Sequence, residues 1–145
     1  MASVDSNSVV REFLVNQAAL TAVVDTRIMY PRLAENTTYP ALGFFARGGE
    51  SNPYIPGIVT PSVQFDCWAE DIDGGLSGPR GARQVYHVLY DVLQGIQQQT
   101  VTVGGVDYRI LSAVEETQGQ DLVDVDIPNL FRVLTFFTIM IQAIP

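Results

Sequence analysis

The sequence predicts an α+β domain: a mainly antiparallel mixed sheet with two helices packed against it, in the order α-β-β-β-α-β-β-β. Three observations carry that prediction. Between Val85 and Ile96 apolar residues recur at helical spacing, and between Pro61 and Ala69 they alternate with period two. Gly104-Gly105 separates two β-branched runs and has the backbone freedom that a two-residue hairpin turn requires.

The first helix follows the polar run Asp5-Ser6-Asn7-Ser8, whose side chains suit an N-cap. Val9, Val10, Phe13 and Leu14 set its apolar face, Leu20, Val23 and Val24 continue it, and Asn16 is where it kinks or splits. Arg27 to Tyr30 reads as a short strand ended by Pro31, and Ala41 to Arg47 as a second, between Pro40 and Gly48-Gly49. In the third, Pro61 to Ala69, Val63, Phe65 and Cys67 share one face while Gln64, Asp66 and Trp68 share the other. The second helix starts near Pro79 or Gly81 and weakens at Gly95. Val85, Val88, Leu89, Val92, Leu93 and Ile96 form its stripe, opposite Gln84, His87, Asp91 and Gln94. Val101 to Val103 and Val106 to Val114 flank the glycine turn, and Leu130 to Gln142 is the last and longest strand.

That last strand is apolar on both parities: Val133, Phe137, Ile139 and Ile141 on one, Leu134, Phe136 and Met140 on the other. Such a strand is either sandwiched between two layers or meets a neighbouring subunit through its second face. Leu134, Phe136 and Met140 are therefore candidate subunit-interface residues. Gly48 to Thr60, Glu70 to Arg80 and Glu115 to Asn129 read as long loops, which in a small domain are usually functional or ordered on binding. The first carries Pro53, Tyr54, Ile55 and Pro56, a candidate partner contact. The third carries Glu115, Glu116, Asp121, Asp124 and Asp126 without a basic residue.

A chain of 145 residues, 47% hydrophobic, is one domain able to bury a core without disulfides or metals. Its charged share, 17%, falls below the usual ~25%, as expected of a surface partly covered by partners. All eight basic residues are Arg, against sixteen acids, and the net charge of −8 argues against adhesion to duplex DNA or anionic membranes. Cys67 is the single cysteine and reads as a buried, inert thiol. The first residues lack the basic and apolar regions of a secretory signal, and Leu130 to Ile141 is too short for a spanning helix. The expected location is the cytoplasm, or a particle assembled there.

Catalytic constellations are sparse. His87 and Cys67 are each single, so no Cys/His zinc set can be built, and no G-x-S-x-G, H-E-x-x-H or P-loop motif occurs. His87 precedes Asp91 by one turn on the polar helix face, a surface pair rather than a general base. Gly74-Gly75 and Gly78 without a neighbouring Lys make a flexible loop a better reading than an anion site. Asp121, Asp124 and Asp126 lack the D-x-[DN]-x-[DN]-G calcium pattern. The expectation is no enzyme, no cofactor and no metal.

Arg27-Ile28-Met29-Tyr30-Pro31, then Tyr39-Pro40-Ala41-Leu42 opening a strand, then Val63-Gln64-Phe65-Asp66-Cys67-Trp68 before an amphipathic helix, resemble bacteriophage tail terminator proteins, also called tail completion or tail-to-head joining proteins. Leu20, Val23, Val24 and Asp25 fit the same pattern, and Leu130-Phe131-Arg132-Val133 is similar to the closing strand. Met29, the Pro53 to Pro56 stretch and the acidic stretch depart from it. The resemblance implies a ring, usually of six subunits, that caps the tail tube protein, presents a surface to the head connector or stopper protein, and lets DNA pass without specific binding. Glu115, Glu116, Asp121, Asp124 and Asp126 are the candidate acidic channel wall. A head-completion protein at the portal is a second expectation, and a small enzyme or ligand module using the acidic loops a third.

Overall fold

The computed structural model describes residues 4–51, 54–55, 57–72, 77–123 and 129–144. Among the described residues, three helices, α1 (Ser6–Val15), α2 (Ala18–Val24) and α3 (Ser77–Leu93), accompany six strands. The strands are β1 (Ile28–Met29), β2 (Ala41–Ser51), β3 (Ile58–Glu70), β4 (Gln97–Val103), β5 (Val106–Val123) and β6 (Leu130–Ala143). They form one mixed sheet in the order β1-β2-β3-β6-β5-β4, in which only the β1–β2 pair is parallel.

The predicted fold class, two helices in the order α-β-β-β-α-β-β-β, is not what the chain adopts. At 50% strand against 27% helix it is mostly sheet, in the order α-α-β-β-β-α-β-β-β. Two physical causes account for the difference. The first helix breaks at Asn16, whose Nδ2 donates to the carbonyl and the Oε1 of Glu12, while Gln17 Nε2 donates to the Phe13 carbonyl. Side chains that reach back to the backbone in this way compete with continued helix. The second cause is that much of the expected loop is strand. Residues 48–51 and 58–60 extend the β2–β3 ladder past a register shift between Ala46 and Gly49. Residues 115–123 continue β5 along β6, with shifts at Ile110/Ser112, Glu115/Thr117 and Thr117/Gln120. Each shift moves the side chains to the other face, so the period-two signal disappears from the sequence while the ladder persists.

The helices lie on one face. In α3, Gly78, Ala82, Val85, Tyr86, Leu89 and Leu93 are buried, the expected stripe with Tyr86 added and with Val88, Val92 and Ile96 flanking it. Val9, Val10, Phe13 and Leu14 of α1 are buried in the same core as Phe44, Phe65 and Phe137. These three rings follow one another across β2, β3 and β6 at centroid distances of 5.7 Å. Helix α1 touches β1 and β2 at one margin of the sheet and also β4 at the other, so the sheet curls round it. Arg11 Nε donates to the Ile28 carbonyl and the Ala46 N–H donates to Asn7 Oδ1, which fixes α1 over the β1–β2 side.

Candidate functional site on the uncovered sheet face

Alternation on β6 sends Val133, Thr135, Phe137, Ile139 and Ile141 into the core. It leaves Leu134, Phe136 and Met140 half-buried on the other side of the sheet, outside the core and, among the described residues, with no helix over them. The strand pairing sets Gln64 and Asp66 of β3 beside them, and Phe45 of β2 beyond Gln64. The three predicted interface residues thus share one uncovered, partly apolar face.

Two cation–aromatic pairs stand on this face. The Arg47 guanidinium lies 3.8 Å from the Phe136 ring centroid, its Nε donates to Ser62 Oγ, and its Nη2 is 3.4 Å from Glu116 Oε2. Thr138 Oγ1 donates to Glu116 Oε1 at 2.6 Å. Burial raises the Glu116 pKa, but the Thr138 and Ser62 hydroxyls and Arg47 outweigh it, and the carboxyl ends below its ordinary value. Farther along β6, Arg132 lies 5.1 Å over the Trp68 ring and 3.4 Å from Asp66 Oδ1, to whose carboxylate Gln64 Nε2 also donates. Here burial dominates. It lifts the Asp66 carboxyl above its ordinary value although Arg132 and Gln64 pull the other way. Arginines stacked on rings and tethered to carboxylates are held in one orientation, which lowers the entropy lost when a partner covers them.

The connection between β1 and β2 folds over one end of the face, where Leu33 lies 3.5 Å from the position a Gly43 Cβ would take. Between it and the sheet runs a groove of about 680 Å³, floored by Gln64, Asp66 and Trp68 and bordered by Arg32, Glu35 and Tyr39.

The remaining predicted residues are placed as follows. Tyr54 and Ile55, 92% and 49% exposed, lie in the β2–β3 connection. Pro53, Pro56, Asp124 and Asp126 lie outside the described residues. Glu115, Glu116 and Asp121 belong to a strand and are not brought together. Glu115 turns under α3, where its Oε2 accepts from Tyr86 Oη at 2.7 Å and from buried Thr135 Oγ1 at 2.6 Å. Glu116 is on the uncovered face, and Asp121 pairs with Arg83 of α3 at 2.8 Å. Among the described residues no group of three or more His, Cys, Asp or Glu is placed to hold a metal ion, and no helix is long and apolar enough to cross a membrane.

Sequence reasoning missed Arg47, Phe45 and Arg132 as members of this surface. A signal existed for Arg132: it has the parity of Leu134, Phe136 and Met140. Arg47 was hidden by the bulge that follows Ala46. Comparison of the sequence with protein-family models and with curated proteins finds no match.

Proposed function

We propose that this chain is a structural subunit of a bacteriophage tail, forming a ring, usually of six copies, at the head-proximal end of the tail tube. The ring ends tube growth, offers a docking surface to the head connector, and leaves a central passage for DNA. The observation that carries this reading is β6: an inner face in the core and an outer row, Leu134, Phe136 and Met140, with no helix upon it among the described residues. Apolar rows set among arginines and aromatic rings are the composition of contact surfaces between proteins, where charged Lys is depleted and Arg, Trp and Phe are enriched. The absence of Lys and a net charge of −8 suit a passage that phosphates traverse without sticking. The residues that resemble tail terminators, from Arg27 to Trp68, supply the specific assignment.

The test is direct. Electron microscopy of concentrated protein, or of protein mixed with tail tubes, should show rings with a central hole, and loss of the gene should yield overlong tails and tailless heads. Tails of normal length in that deletion, with heads that leak DNA, would move the protein to the portal instead.

A further inference from the structure

We propose that Tyr54 and Ile55 of one copy seat in an apolar groove at the opposite end of the next copy's sheet. This inference rests on the ring reading above and adds to it a second subunit contact, apart from the Leu134, Phe136 and Met140 face. The groove lies where the first turns of α3 meet the far ends of β5 and β6. Apolar Pro79, Ala82, Leu122 and Phe131 line it together with Arg80, Arg83, Arg132 and Asp121, around a volume of about 320 Å³. That volume lies at the lower end of the ~300–1,000 Å³ typical of binding pockets and suits one aromatic side chain better than a larger molecule.

Position within the fold excludes the chain's own Tyr54 and Ile55 as occupant, and the ring reading supplies the second copy. Gly57, two positions after Ile55, lies beside the end of β6, where the Ala143 N–H donates to its carbonyl at 2.8 Å. The groove lies at Phe131, near the start of the same strand. Twelve residues of extended chain separate them by roughly 40 Å, at about 3.3 Å per residue. No copy can therefore fill its own groove. The contact joins two different patches, and such head-to-tail joints close into a ring when the rotation permits.

Charge selects the same pairing. From Gly48 to Thr60 the sequence holds a single charged residue, Glu50, and it is exposed. At the groove, Asp121 already holds Arg83, whereas exposed Arg80 has no ion pair among the described residues. An acid on the incoming segment meets a spare cation at the groove, the arrangement that fixes register between partners.

The experiment uses the full chain carrying Ile55→Cys and Pro79→Cys, with Cys67 buried beyond reach of reagent. The protein is treated with a short bis-maleimide under conditions where rings are seen. A covalent ladder extending to the ring number is expected from the double variant, and none from either single variant. Independently of any cysteine, Glu50→Arg should weaken self-association by roughly tenfold, and adding Arg80→Glu should restore it. Rings that form without a ladder, together with indifference to Glu50→Arg, would overturn this contact and leave the ring reading standing. Failure of the unaltered chain to assemble at any concentration, alone or on tube ends, would overturn both.

Discussion

Gly119 sits where β5 passes beneath α3, and its missing side chain is what lets the two meet. A Cβ there would lie 2.8 Å from Tyr86 Cζ and 2.8 Å from Val133 Cγ1. Neither neighbour can yield easily, because Tyr86 Oη donates to Glu115 and accepts from the Gly119 N–H at 3.2 Å. Gly119→Ala should therefore cost about 1–3 kcal/mol as overpacking, seen as a lower urea midpoint with an unchanged slope. A midpoint equal to that of the natural chain would show that β5 and α3 part more freely than this packing allows. Asp66 makes a prediction of the opposite sign. Burial raises its pKa from the ordinary 3.8, so the folded chain holds this proton more tightly than the unfolded chain does. Its contribution to stability is complete below pH 3.8 and is lost as pH rises through the raised value. Asp66→Asn does not titrate, so its stability relative to the natural chain should improve from pH 3.5 toward pH 7, by an amount readable in paired urea titrations. A relative loss over that range would mean that Arg132, not burial, governs the site.

At the scale of elements, α1 depends on its cap. Asp5 accepts from the Ser8 N–H at 3.3 Å and from the Ser8 hydroxyl at 2.6 Å. Asp5→Ala should destabilise the fold by about 1 kcal/mol, measured by chemical denaturation, and Asp5→Ser by less. What the sequence makes legible follows the same logic of local signals. The α3 stripe, the Gly104-Gly105 turn with both glycines at positive φ, and the inward set of β6 are each written within a few residues, and each is found. The second helix and the long reach of β5 are not written that way. At Asn16 the residues leave a kink and a break equally open, and side-chain bonds to Glu12 and Phe13 decide for the break. In β5 three register shifts scramble the alternation, so Glu115 to Val123 reads as polar loop although every residue lies on a strand. The candidate surface was half legible. Leu134, Phe136 and Met140 follow from parity, whereas Arg47 and Phe45 join them only through pairings between strands distant in sequence.

For the whole molecule, the uncovered face can be altered apart from the core. Its apolar row lies outside the core, so Leu134→Asp combined with Phe136→Asp should leave a monomer that unfolds cooperatively, with a loss of no more than about 2 kcal/mol. On the proposed ring reading, the natural chain should sediment as an assembly where the same variant sediments as a single copy, as analytical ultracentrifugation would show. Unaltered assembly would remove this face from the contact. The way α1 bridges both margins of the sheet has a consequence for synthesis on the ribosome. Residues near position 10 must meet β4, some ninety positions later, before the curled sheet can settle round α1. The leading helix therefore emerges long before its final neighbour exists, and its greasy side waits without cover. Closure over so long a separation makes for a slow folder, with one side of α1 bare until the distant strand has been made.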